Sequence, residues 1–318
     1  MASGDMIVHR GLEALPLQLA ASTVTVGFFD GVHRGHRAVL GRAVEVARSR
    51  GIPSVAVTFD KHPREILTPG REPRLLTSVE RKAELIASAG IDHLVVLEFT
   101  ESVSRWTPEK FMDQVLATGL RAAHVVIGAN FTFGHKAAGT IGTLRAHADR
   151  CGFTAEAVEL VDIDGRRVSS SSIREALAAG DLMWPTAALG RRFVLDGEVV
   201  AGAGRGKGLG YPTANLRTWP RLLLPGSGIY AGSARVADGR FVAAISCGTN
   251  PTFGSEPLHV EAYLLDFAAA ELRGDPIAVS FHARLRDEER FDGPEALTDA
   301  IAQDVERTRA LVDLSAGD

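Results

Sequence analysis

From Thr23 to about Gly180 the chain alternates short apolar runs with stretches of helical periodicity. Residues 23–26 predict a strand, and 36–50 a helix that turns Val39, Leu40, Ala43, Val44 and Val46 inward. Residues 54–59 predict a second strand, 78–89 a helix and 93–97 a third strand. Thr107-Pro-Glu opens another helix, with threonine as cap, proline at the first helical position and glutamate facing the dipole. Residues 123–127 and 155–161 complete the strands. Such alternation predicts an α/β domain, a parallel sheet covered on both faces.

After about Gly190 the period changes. Residues 193–200, 228–236, 241–247, 260–267 and 277–285 are strand candidates separated by Gly, Asp and Pro, with no helices between them. They predict a small antiparallel barrel or sandwich. Residues 294–312 form a last amphipathic helix, with Leu297, Ile301, Val305 and Leu311 near helical spacing. The boundary falls within 182–191, giving domains 1–185 and 186–318. There is no internal repeat or low-complexity segment.

A length of 318 residues agrees with two domains. The net charge of −4 supplies no general field for nucleic acid or anionic membrane, and neither partner is expected. Cys151 and Cys247 are far apart and imply no disulfide framework. The opening residues lack a charged stretch followed by an apolar one, so no signal peptide is expected. No apolar run approaches the roughly 20 residues that span a bilayer. The expected location is cytoplasmic.

Candidate chemistry begins directly after the first predicted strand, where residues 27–36 read Gly-Phe-Phe-Asp-Gly-Val-His-Arg-Gly-His. In a parallel sheet this loop faces the ligand crevice. His33 and His36, three apart at a helix start, put imidazole N–H groups beside the free amides of its first turn. That arrangement suits a triphosphate and the charge it gains in phosphoryl transfer. Gly35 permits close backbone approach. A surface histidine pair on a glycine turn, or a metal pair, would have the same spacing; the strand before and the helix after favour the phosphate reading.

His33-Arg-Gly-His36 resembles the HxGH signature of nucleotidylyltransferases, and the wider stretch resembles prokaryotic FAD synthetases. Residues 58–63 (Thr-Phe-Asp-Lys-His-Pro), 126–134 (Val-Ile-Gly-Ala-Asn-Phe-Thr-Phe-Gly) and 168–174 (Val-Ser-Ser-Ser-Ser-Ile-Arg) are similar to further family segments in the same order. The last looks like the second ATP motif; alone, its serines would read as a helix cap. The resemblance implies a Rossmann-like nucleotidylyltransferase domain. There, an FMN phosphate oxygen attacks the α-phosphorus of ATP and pyrophosphate leaves. His33 and His36 are then assigned to the phosphates, and Ser170, Ser171 and Arg174 to the ATP clamp. Asn130 becomes a nucleotide contact. Gly27, Phe28 and Asp30 shape the nucleotide pocket, with simple core packing the alternative for Phe28.

In the second half, residues 202–215 read Gly-Ala-Gly-Arg-Gly-Lys-Gly-Leu-Gly-Tyr-Pro-Thr-Ala-Asn. Lys207 precedes Gly208 rather than Ser or Thr, so this is no Walker A. Lys207 also stands where a Rossmann pattern starting at Gly202 needs glycine. On glycine count alone it is a plain loop. Pro212-Thr-Ala-Asn215, however, is similar to the PTAN motif of riboflavin kinases, as are segments 248–253 and 260–266. The resemblance implies a small barrel in which Thr213 and Asn215 ligate Mg²⁺ carrying ATP phosphates, since hydroxyl and amide oxygens are hard ligands. Gly204, Arg205, Gly206 and Lys207 fold over those phosphates, and Glu261 deprotonates the ribityl hydroxyl of riboflavin. A lone glutamate in a strand otherwise reads as solvent-facing. Residues 284–290 read as a solvated charged loop and receive no role.

The whole resemblance is to bifunctional riboflavin kinase/FMN adenylyltransferases, with ATP, riboflavin and FMN/FAD as partners and oligomeric state open. Four positions depart from the family: Phe28, where Asn is frequent; Ser172, where Arg is common; Met183-Trp-Pro185, where Pro185 should end or kink an Ala-rich helix; and Arg273, where Tyr is frequent. They leave as alternatives a paralogue with one active module or altered nucleotide or flavin choice, and a non-catalytic flavin or nucleotide sensor.

Overall fold

The computed structural model describes residues 6–14, 19–202, 205–219, 221–249, 258–267 and 272–315. They form two compact units, Met1–Pro73 with Val79–Ser169, and Arg74–Ser78 with Ser170–Asp318.

The first unit contains the strands β1 (Ile7–Arg10), β2 (Ser22–Val26), β3 (Ser54–Phe59), β4 (His93–Leu97), β5 (Ala122–Gly128) and β6 (Thr154–Val158), with a short hairpin of β7 (Asp162–Ile163) and β8 (Arg166–Arg167). The six long strands make one parallel sheet in the order β1-β4-β3-β2-β5-β6. Its helices are α1 (Arg34–Arg50), α2 (Pro63–Leu67), α3 (Val79–Ala87), α4 (Glu101–Ser104), α5 (Pro108–Phe111) and α6 (Ile141–Cys151). Every residue of β2 and β3 is buried, as strands covered on both faces must be. Leu40, Val44 and Ile86 fill one side of the sheet, and Phe111, Met112, Leu116 and Leu144 the other. Thr107 caps α5 by accepting the Lys110 N–H at 3.2 Å, as its sequence predicts. β1 was not expected; its four residues, Ile-Val-His-Arg, carry no alternation of apolar and polar positions.

The second unit begins with α7 (Ser170–Ala178) and α8 (Met183–Leu189). The expected break falls before Pro185 rather than at it. Asp181 Oδ1 accepts the N–H groups of Met183 and Trp184, and Pro185 lies in the first turn of α8, where a backbone donor has no helical partner. Then come β9 (Phe193–Val200), the single turn α9 (Arg205–Gly208), β10 (Ala214–Thr218), β11 (Gly228–Val236), β12 (Gly239–Gly248), β13 (His259–Leu264), β14 (Pro276–Arg286) and α10 (Pro294–Leu311). Strand pairing is antiparallel throughout and closes into a barrel, β10-β13-β12-β11-β14-β9. Of the two architectures open to the sequence, the barrel is the one formed. Its core holds Phe193, Leu195, Tyr230, Ile245 and Phe281. β10 was missed because its residues belong to the glycine-rich motif, which reads as a loop.

Candidate active sites

β2 is central in the first sheet, and its C-terminal loop carries the histidine motif. This loop is strained. Phe29 has φ of 53°, Gly31 of 78° and Val32 of 39°. For a buried β-branched residue such as Val32 a positive φ is costly, and such strain is concentrated at functional sites. A Cβ on Gly27 would stand 2.8 Å from the Phe29 ring. The turn delivers His33 to the N-cap of α1, where its Nδ1 accepts the His36 N–H at 3.3 Å. That bond leaves the Nε2 of a neutral His33 as its N–H. The two rings stack with centroids 3.6 Å apart, and Phe29 meets His36 edge-on. Burial, then the neighbouring His33 and then Lys82 hold the His36 pKa well below its usual value. His36 is a neutral imidazole here.

Around this loop lies a cluster that the motif does not announce. Asp30 and Lys82 are each 2% exposed. Lys82 Nζ lies 4.0 Å from the centroid of the Phe28 ring and donates to Thr58 Oγ1 at 3.4 Å; Thr58 Oγ1 donates to the Phe28 carbonyl at 3.0 Å. His62, the N-cap of α2, meets Phe28 edge-on at 4.9 Å. Phe28 is therefore a partly buried ring between a lysine and a histidine. Asn130 is exposed in the turn after β5; because β5 pairs with β2, this turn opens beside the Gly27 loop. Ser170, Ser171 and Arg174 lie at the start of α7, which belongs to the second unit.

In the barrel, β10 pairs with β13 so that Asn215 stands opposite Glu261. Thr213, just before β10, donates its hydroxyl to Glu261 Oε2 at 2.8 Å. His259 Nε2 stands 3.1 Å from Glu261 Oε1. The glycines serve close approach. A Cβ on Gly202 would stand 2.2 Å from Asn215 Nδ2, and one on Gly206 2.3 Å from the Tyr211 carbonyl. Gly204 and residues 250–253 lie outside the described residues, and Arg205 and Lys207 are described by backbone alone, in α9. Thr213, Asn215, Gly206 and Glu261, scattered over 56 positions, are thus brought together.

Thr213, Gly206 and Glu261 border a cavity whose wall includes Tyr211, Ile245, Tyr263, Phe291, Leu297 and Ile301. The sequence did not mark this wall, because its members come from two strands, two loops and α10. Arg286 also lines it, and here the solvated-loop reading of residues 284–290 is corrected. Arg286 ends β14 and grips Asp304 of α10 through Nη2 at 2.8 Å. Glu288 accepts the Thr249 N–H at 3.0 Å and the Ser227 hydroxyl at 2.9 Å. Ring and aliphatic walls with a few convergent polar groups describe a small-molecule site.

A parallel sheet presenting stacked histidines, together with a closed barrel presenting a carboxylate, a hydroxyl and an amide over a cavity, defines a two-site α/β and β-barrel protein. Comparison with known proteins fixes the family. A family model described as FAD synthetase matches residues 16–172, and one described as riboflavin kinase matches residues 189–312. The bifunctional riboflavin kinase/FMN adenylyltransferase of Pseudomonas fluorescens is 38% identical over 98% of this chain and 99% of its own. The proteins of that name from Listeria monocytogenes and Bacillus subtilis are 35% and 34% identical, over 91% and 90% of both chains. A crystal structure described as a macrolide-efflux protein from Streptococcus pneumoniae matches with TM-score 0.85 and 28% identity, over 96% of this chain and 99% of that one. The chain belongs to the bifunctional riboflavin kinase/FMN adenylyltransferase family. No helix among the described residues is long and apolar enough to cross a membrane.

Proposed function

We infer that the protein phosphorylates riboflavin to FMN and adenylylates FMN to FAD, using ATP in both steps. Full-length similarity to bifunctional relatives supports the pair of activities. The observation that carries the kinase half is the Thr213–Glu261 hydrogen bond with Asn215 opposite, at the edge of the cavity. By sequence the modules are residues 1–185 and 186–318, which gives α7 to the first; by packing α7 belongs to the barrel unit.

In the kinase reaction the ribityl oxygen bonds to the γ-phosphorus as the bond to the bridging oxygen breaks and ADP leaves. Glu261 takes the hydroxyl proton, and the hydrogen bond from Thr213 fixes its rotamer for that task. The cavity walls hold the isoalloxazine and exclude water. Thr213 Oγ1 gives its proton to Glu261, so its lone pairs stay available to a cation; with the Asn215 amide oxygen this is a hard donor set that fits Mg²⁺. That ion, when bound, offsets phosphate charge. The backbone of Gly206 is assigned to the phosphates, as the family resemblance assigns the segment 204–207.

In the adenylyltransferase reaction an FMN phosphate oxygen bonds to the α-phosphorus and pyrophosphate departs, with no covalent enzyme intermediate. Residues here position and stabilise. His33 and neutral His36 donate N–H groups to phosphate oxygens, Asn130 and the Gly27–Asp30 turn bound the nucleotide, and the family resemblance assigns Ser170, Ser171 and Arg174 to the triphosphate. The cytoplasmic location expected from the sequence belongs to the same reading.

Purified protein incubated with riboflavin, ATP and Mg²⁺ tests it by chromatography. FMN followed by FAD is expected, and FMN supplied directly should also give FAD. Neither product would refute the assignment; FMN without FAD would select the single-module alternative.

A further inference from the structure

An ammonium has three donors to satisfy and a large cost of leaving water. Lys82 is 2% exposed, yet its described contacts are one long hydrogen bond to Thr58 Oγ1 and the face of Phe28. A helix stabilised for its own sake would place a leucine there. The lysine holds three things at once. Its ring contact fixes Phe28; its hydrogen bond fixes Thr58, which itself grips the Phe28 carbonyl; and Asp30, the next turn of the same loop, lies near enough to favour its charge.

We propose that Lys82 is a positioning residue for adenylyl transfer, holding the strained loop from Phe28 to His33 in register from behind and placing a buried positive charge beside it. The inference rests on the adenylyltransferase reading of the first module. Burial lowers the Lys82 pKa to about 8, opposed by Asp30 and Asp60, so near neutral pH it still carries its proton. That charge is one cause of the low His36 pKa. The other titratable groups in this region are His33 stacked on His36, Arg34 and Arg37 on α1, Asp30 and Asp60 beside Lys82, and His62 across Phe28. Lys82 acts from behind the loop, since it does not reach the surface.

The test uses the full-length protein, Lys82→Met and Lys82→Arg, with riboflavin phosphorylation as an internal control for folding. In Lys82→Met, kcat/KM for FAD formation should fall by about tenfold or more, while the kinase reaction stays within about twofold. The acidic limb of the FAD-forming pH profile should move to higher pH, because removing a nearby positive charge raises the His36 pKa. Lys82→Arg should keep the limb where it is. An unmoved limb in Lys82→Met, whether activity is retained or lost at every pH, overturns the proposal. If Lys82→Met does not fold, Thr58→Val serves: the same limb shift in smaller degree is expected, and wild-type kinetics would overturn it. Wild-type protein that makes no FAD at all would defeat the functional reading instead.

Discussion

Arg286 at the end of β14 and Asp304 in the middle of α10 are joined by three contacts: Nε to both carboxylate oxygens at 3.2 and 3.1 Å, and Nη2 to Oδ2 at 2.8 Å. The pair pins to the barrel the helix that supplies Leu297 and Ile301 to the cavity wall. Asp304 is 4% exposed, so Asp304→Ala leaves the Arg286 guanidinium only the exposed carboxylate of Glu289, 3.9 Å away. Losing one partner of a buried pair costs about 3 kcal/mol. Thermal melting should show that loss, and KM for riboflavin should rise while FAD formation from FMN is kept.

Glu261→Gln retains the shape of the carboxylate and its place opposite Asn215, but cannot take a proton. Riboflavin phosphorylation should fall by about 10²–10⁴-fold, the usual span for a general base. Conversion of supplied FMN to FAD should be unchanged. Equal loss of both activities would contradict separate sites.

His36→Ala is the mirror experiment. It removes one imidazole of the stacked pair, while the His33 cap remains because it is made to the backbone N–H of residue 36. FAD formation should drop by about 10²–10³-fold, as for loss of one donor to a transition-state oxyanion, with FMN formation spared. Separate assays with each flavin check it.

Stability should follow pH with a definite sign at both ends. Folded His36 titrates well below 6.5, so as pH falls through 6.5 the unfolded chain takes up a proton that the folded one refuses. Stability is therefore lost on acidification below 6.5; His93 and His124, also depressed mainly by burial, act in the same direction. Lys82 titrates at about 8 folded against 10.5 unfolded, so its contribution to stability rises with pH between those values. Denaturant melts across the pH range, compared among wild type, His36→Asn and Lys82→Met, measure each slope. His36→Asn should be flatter on the acid side and Lys82→Met on the alkaline side.

Most of the fold was legible because its strands are either uniformly apolar and flanked by helices, as β2 and β3 are, or closely spaced between turn residues, as in the barrel. The motifs located His33, His36, Thr213, Asn215 and Glu261 because each sits in a short contiguous signature. What stayed hidden is what only closure of the fold assembles: the cavity wall, the Arg286–Asp304 pair, and β10 concealed by its glycines. Lys82 left a trace, since Val79, Lys82, Ala83 and Ile86 share one face of α3, which puts a charge on an apolar stripe. A helix read only for its amphipathic pattern passes over that anomaly.

The two large sheets differ in how they end. Among the described residues the six barrel strands close on themselves and leave no edge strand, whereas the parallel sheet stops at β1 on one side and β6 on the other. Cross-chain strand addition to either sheet would therefore have to begin in the first unit. There β1 is four residues long, with Ile7 52% and Val8 47% exposed, while His9 ties its edge to His93 through a 3.1 Å hydrogen bond. So short a ribbon, fastened by a side chain, is a poor template for β-aggregation.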